Sequence, residues 1–178
     1  GKTLAMIFQK PSARTRISFE TGIFQLGGHA LYLAPADIGI GKREPVADVA
    51  RVLCRYNDGI MARLFGHEDI IELAKFSSVP VINGLTDLTH PCQIMADAFT
   101  ILEHRKTLKD IQVTFIGDGN NVANSWINFA ARKPIKLNLA CPEGYDPDPD
   151  ILNNARKEAA NDITIFREPA EAAKGADV

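Results

Sequence analysis

The chain has 178 residues, 46% of them hydrophobic and 24% charged, enough to bury a real core and a length suited to one domain or two small ones. Twenty basic residues against twenty-two acidic leave a net charge of −2, which excludes the electrostatic footprint of a nucleic-acid-binding protein. No apolar run reaches the ~18 residues needed to cross a bilayer, and Cys54, Cys92 and Cys141 lack metal-ligand spacing and fit a reducing compartment.

The opening Gly1-Lys2-Thr3, without Met, and the close at Val178, where a strand is expected to start, lead us to expect a fragment lacking N- and C-terminal parts. Short apolar runs rich in branched residues predict strands at Leu4–Phe8, Ala30–Leu33, Ile60–Leu64, Val79–Ile82, Val113–Ile116, Leu137–Ala140 and Ile163–Phe166. Between them Phe19, Ile23 and Leu26 recur as one helix face does, and so do Val46, Val49, Ala50 and Leu53, then Ile70, Leu73 and Ala74. Apolar strands followed by amphipathic helices imply an α/β fold with parallel sheets covered on both faces.

A long helix is predicted from His90 to His104, with Pro91 suited to its first position and Ile94, Ala98, Ile101 and Leu102 as its apolar stripe. We therefore expect two lobes, each a parallel sheet flanked by helices: residues 1–88, a connecting helix at 89–105, and residues 106–178. The Pro-rich stretch from Cys141 to Asp150 reads as a strand-to-helix loop, with Asp148 or Asp150 capping the next helix.

Three segments carry chemistry. Phe8-Gln9-Lys10-Pro11-Ser12-Ala13-Arg14-Thr15-Arg16 follows a strand and enters a helix, where free backbone N–H groups and the helix dipole favour an anion. Ser12 and Thr15 add hydroxyls, and Arg14 can grip a phosphate with two donors. The alternative is a capped helix whose arginines are merely solvated. His90-Pro91-Cys92-Gln93 opens the long helix; residues i and i+3 share a face, so His90 and Gln93 point into the same space. An imidazole there is expected to stay neutral and able to donate to a carbonyl oxygen. A plain helix cap is the competing reading.

Gly117-Asp118-Gly119-Asn120-Asn121-Val122-Ala123-Asn124-Ser125 opens like a dinucleotide-binding turn, but Val122 stands where that motif wants a small third residue. Its Asn residues are suited to the polar end of an amino acid, or simply to a tight turn. Gly39-Ile40-Gly41-Lys42-Arg43 lacks the spacing of a P-loop. Arg63 closes an apolar run and should emerge at the carboxyl edge of a sheet, where ligands of open α/β folds gather.

Taken in order, these segments resemble the aspartate/ornithine carbamoyltransferase family, from about Met6 to the last residue. Phe8 to Thr15 resembles its phosphate-binding signature and His90-Pro91-Cys92-Gln93 its carbamoyl-binding element. Gly117 to Asn121 and Val81-Ile82-Asn83-Gly84-Leu85 resemble the ornithine branch. The resemblance implies transfer of the carbamoyl group of carbamoyl phosphate to the δ-amine of ornithine, giving citrulline and phosphate, with no metal and no organic cofactor. It implies that Ser12, Arg14, Thr15 and the Ala13 N–H hold the phosphate, while Arg63 touches both phosphate and carbonyl oxygen. His90 would polarise that oxygen, Gln93 bind the carbamoyl amino group, and Asn121 hold the amino-acid end of ornithine. Arg14, Arg63, His90 and Gln93 are thus expected to converge on one pocket.

It further implies a trimer or a multiple of trimers and no membrane or nucleic-acid partner. The expected setting is the cytoplasm, or the mitochondrial matrix in a eukaryote, in arginine biosynthesis or its catabolic counterpart. The chain departs from the family at Ala13, usually Thr, and at Gly39, often Gln or His. The resemblance implies that C-terminal parts of the family's ornithine pocket are expected beyond Val178. Aspartate, N-acetylornithine and putrescine remain alternative acceptors. A nicotinamide-binding oxidoreductase domain and a non-catalytic relative are readings from other classes.

Overall fold

A computed structural model describes residues 1–158 and 163–178. Its elements alternate as β1 (Thr3–Phe8), α1 (Ala13–Gln25), β2 (His29–Leu33), α2 (Pro35–Ile38), α3 (Val46–Tyr56), β3 (Gly59–Arg63), α4 (His67–Phe76) and β4 (Val81–Leu85). There follow α5 (Pro91–Arg105), β5 (Ile111–Ile116), α6 (Asn121–Ala130), β6 (Ile135–Ala140), α7 (Pro149–Glu158), β7 (Ile163–Phe166) and α8 (Pro169–Ala172). The fold is α/β and divides into two compact units, Gly1–Asp87 and Leu88–Val178, with α5 inside the second.

In the first unit all strands are parallel, in the order β2-β1-β3-β4. The period of two along β1 sends Ala5 and Ile7 to one face, against Val46, Val49 and Ala50 of α3 and Ile70 and Leu73 of α4. Leu4, Met6 and Phe8 go to the other face, against Phe19 and Ile23 of α1. Both faces are covered, which is why β1 reads as an unbroken apolar run. Burying each such side chain contributes about 1.5–3 kcal/mol.

Leu26 does not join Phe19 and Ile23. It is 86% exposed, because α1 ends at Gln25 and Leu26 falls at the C-cap, where the chain leaves the helical path. Ala74 is exposed as well, since α4 meets the core through Ile70, Leu73 and Phe76. The fourth strand starts at Val81, later than the apolar run beginning at Val79 suggests. Ser77 Oγ accepts from the Val79 N–H at 3.1 Å and donates to its carbonyl at 2.6 Å, and Pro80 has no N–H to give a ladder.

In the second unit the parallel order is β5-β6-β7. On the other edge of β5, Thr114 N–H donates to the Val178 carbonyl at 2.9 Å and Asp177 N–H to that of Gln112 at 2.8 Å. Ile94 and Ile101 of α5, Trp126 and Ile127 of α6 and the inward residues of the sheet form one core. Ala98 is buried with them, whereas Leu102, expected on the same stripe, is 40% exposed. The 141–148 segment is a loop into α7, and Asp148 is the residue that caps it, accepting from Asp150 and Ile151 N–H at 3.0 Å each.

Two strands mark switch points. β1 is flanked by β2 on one side and β3 on the other. β5 lies between β6 and residues 177–178. In open α/β sheets ligands bind at the carboxyl end of such strands, and these ends carry Gln9–Ser12 and Gly117–Asn120.

Candidate functional site

At the end of β1 the chain turns through Gln9–Ser12 into α1. Ser12 is the N-cap, with its Oγ accepting from Thr15 N–H at 3.3 Å and donating to Thr15 Oγ1 at 3.0 Å. The Ala13 and Arg14 N–H groups of the first turn have no intrahelical acceptor, and no acidic residue stands in that turn to compete with an anion. The Thr15 hydroxyl keeps its own proton to donate.

Arg63 ends β3 beside this turn, paired in register with Phe8. Its carbonyl accepts from Gln9 N–H at 2.8 Å, and Gln9 Oε1 accepts in return from Phe65 N–H at 2.9 Å. The loop after β1 and the end of β3 are therefore tied to each other. Arg63 is half-buried, and its Nε is buried without a hydrogen-bond partner. Burial, and then the charge of Arg14, push the Arg63 pKa below the ordinary guanidinium value. Neither arginine belongs to an ion pair among the described residues. Two neighbouring guanidinium groups without a carboxylate, beside open helical N–H groups, are an arrangement chemically suited to an anion.

The other cations of the segment are occupied. Arg16 stacks over Tyr32, 3.9 Å from the ring centre, and bonds Glu20 at 2.9 Å. Lys10 pairs with Asp87 and lies 4.5 Å from the centre of the Phe65 ring. Gly39 closes α2 at φ 55, a left-handed conformation in which a Cβ would come within 2.8 Å of Arg43 Cβ. That is a local backbone reason for glycine at this position. It lines an apolar cleft of about 180 Å³ with Ile7, Ile38, Ile40 and Phe65.

In the second unit His90 is the N-cap of α5 and half-buried, and Gln93 is exposed one turn on. Gln93 Nε2 donates to Asp97 at 2.9 Å, which orients the amide and leaves Oε1 as the acceptor it presents. At the end of β5 Asn120 caps α6, its Oδ1 accepting from Val122 N–H at 2.8 Å and Ala123 N–H at 3.3 Å, and Asn121 is the first helical residue. Those donors are spent within the turn, whereas the Ala13 and Arg14 N–H groups of α1 are not. A Cβ on Gly119 would collide with the backbone of Asp146 and Pro147. The close approach that a dinucleotide turn reserves for a pyrophosphate is filled here by the chain itself, which removes the oxidoreductase reading of this turn.

The structure thus brings Ser12, Ala13, Arg14, Thr15 and Arg63 together in the first unit and carries His90, Gln93 and Asn121 in the second. Asn124 and Ser125 close the Gly117–Ser125 segment singled out in the sequence, but they carry no individual role there; in the structure they are a buried pair on α6, 4% and 5% exposed. Their signal was two polar residues inside the apolar run Val122-Ala123 to Trp126-Ile127. Asn124 Nδ2 donates to the Leu88 carbonyl at 3.1 Å, and the His90 N–H donates to Ser125 Oγ at 2.7 Å. Among the described residues no group of His, Cys, Asp and Glu is arranged for a metal, and no helix is long and apolar enough to cross a membrane.

Comparison with known proteins gives concordant matches. Residues 1–103 match the family model for the aspartate/ornithine carbamoyltransferase carbamoyl-P binding domain, and residues 109–178 the model for the Asp/Orn binding domain. The chain is 57% identical over its whole length to the chloroplastic ornithine carbamoyltransferase of Pisum sativum, covering 48% of that protein. It is 58% identical over 177 residues to the ornithine carbamoyltransferase of Chlorobaculum tepidum, covering 99% of this chain and 52% of that one. The solved ornithine carbamoyltransferase of Pyrococcus furiosus superposes with a TM-score of 0.95 at 49% identity, over 99% of this chain and 57% of the other. The chain spans about half the length of the curated relatives it matches.

Proposed function

The chain belongs to the aspartate/ornithine carbamoyltransferase family, and from that premise we propose that the protein transfers the carbamoyl group of carbamoyl phosphate to the δ-amino group of L-ornithine, giving L-citrulline and phosphate. The single observation that carries the chemistry is the Arg14–Arg63 pair beside the open first turn of α1. Fixed cations without carboxylates suit a dianionic phosphate, which neutralises both at once. Identity above 50% to curated ornithine enzymes over the whole chain supports ornithine as the acceptor.

In this proposal the phosphate takes the Ala13 and Arg14 N–H groups, the Ser12 and Thr15 hydroxyls and the two guanidinium groups. Ser12 trades its bond to Thr15 for one to the ligand. His90 donates to the carbonyl oxygen, Arg63 reaches the same oxygen, and Gln93 Oε1 accepts from the carbamoyl amino group. Asn121 holds the amino-acid end of ornithine. The neutral δ-amine forms a bond to the carbamoyl carbon while the carbon–oxygen bond to phosphate breaks, and phosphate takes the proton that the amine loses. Negative charge grows on the carbonyl oxygen during attack, so donors already fixed there stabilise the transition state, each worth ~3 kcal/mol when removed. No residue in this scheme requires a metal or organic cofactor. A trimer or multiple of trimers and a cytoplasmic or organellar-matrix setting belong to the same proposal.

The test is steady-state carbamoylation by the full-length protein of ornithine, N-acetylornithine, putrescine and aspartate. The highest kcat/KM is expected for ornithine. A higher value for any of the other three overturns the acceptor, and turnover of none overturns the reaction.

A further inference from the structure

We propose that Ser125 is a positioning residue that sets the backbone of His90 and ties it to the first turn of α6, an inference that rests on the carbamoyl-transfer reading above. The Ser125 hydroxyl lies buried in an apolar stretch of α6, and both of its capacities are used. It accepts the His90 N–H at 2.7 Å and donates to the Asn121 carbonyl at 2.8 Å. The N–H of a helix N-cap has no intrahelical acceptor, so the acceptor comes from outside the helix, and here it comes from α6.

The neighbouring side chain repeats the arrangement. Asn124 Nδ2 donates to the Leu88 carbonyl at 3.1 Å, while its Oδ1 accepts the Asp148 N–H at 3.0 Å. The peptide that carries the His90 imidazole is thereby held at residue 88 and at residue 90 from one turn of α6. The same turn begins with Asn121, the residue assigned to ornithine. The bond to the Asn121 carbonyl is the i to i−4 bond of a serine inside a helix, local to α6, so the distinct part of this hydroxyl is its bond to His90. Because Ser125 acts through the His90 backbone, its removal should matter only while His90 is present to be misplaced.

A double-mutant cycle in the full-length protein, with thermal melts as the check on folding, tests this. Ser125→Ala is expected to lower kcat for ornithine about 10-fold, the scale of one hydrogen bond that shifts a reacting group. In the His90→Ala background the same change should cost less than about 2-fold. Ser125→Cys, near-isosteric with weaker hydrogen bonding, should move kcat in the same direction by a smaller factor, and carries the cycle should the alanine variant not fold. An equal loss in both backgrounds, or unchanged kcat in both Ser125 variants, overturns the proposal. The parent reading fails differently: His90→Ala alone would then retain wild-type kcat.

Discussion

The guanidinium of Arg63 lies within electrostatic reach of Arg14, and its buried Nε has no partner. Burial and like charge both disfavour the Arg63 cation, and neither disadvantage is offset by a carboxylate among the described residues. The arrangement costs stability, and a bound anion would relieve it. Arg14→Ala should therefore melt within about 0.5 kcal/mol of wild type, or above it, because an exposed side chain with no ion pair is lost. Turnover of the full-length protein should fall at least ~100-fold, as for removal of a donor from a preorganised site. Thermal melting and steady-state kinetics read the two effects separately.

Ser12 combines a cap with a proposed ligand contact, and aspartate separates the two. Asp is as good an N-cap as Ser, so Ser12→Asp should hold α1 to within a few tenths of a kcal/mol, against about 1 kcal/mol lost by Ser12→Ala. Its negative charge, however, faces the anion site. Titration with inorganic phosphate should show binding abolished in Ser12→Asp and only weakened in Ser12→Ala.

Gly119 is required by the chain that crosses it. A methyl group there meets the backbone of Asp146 and Pro147, and backbone yields less readily than a flexible side chain. Gly119→Ala should destabilise by about 1–3 kcal/mol in urea unfolding. If the second glycine were kept for a nucleotide instead, stability would be unchanged.

The loop over Gly119 is fastened by Arg167, which donates to both Asp146 carboxylate oxygens at 2.7 and 3.1 Å and to the Cys141 carbonyl at 2.9 Å. The hydrogen bond from Arg167 is the main cause holding the Asp146 carboxyl below its ordinary pKa. A depressed folded-state pKa gives stability that is present above the unfolded value of about 3.9 and is lost as pH falls through the folded value. The melting-temperature gap between wild type and Asp146→Asn should thus be widest near neutrality and close below about pH 4. A gap that persists unchanged into acid would rule this out.

Much of this was legible in the residues because the signals were local. Branched apolar runs alternating with helical periods gave the α/β class, and Ser12 before Ala13-Arg14-Thr15 gave a capped helix start. Period alone misled at Leu26 and Leu102, where a face continues in sequence after the helix has ended or the core has been filled. The roles of Asn124 and Ser125 are not legible within the Gly117–Ser125 segment, because their partners, Leu88 and His90, lie 36 and 35 residues away and no pattern within α6 names them. Val122 already argues in the sequence against a nucleotide at this turn, but the close approach that requires Gly119 is not legible there, since the loop that fills its space comes from beyond β6.

The most direct measurement is calorimetric titration of the full-length protein with a phosphonate analogue of carbamoyl phosphate, comparing wild type with Arg63→Ala. Loss of a charged donor pair should weaken binding by about 10- to 100-fold while the variant remains folded. Affinity equal to wild type in a folded Arg63→Ala protein would contradict the account at its foundation.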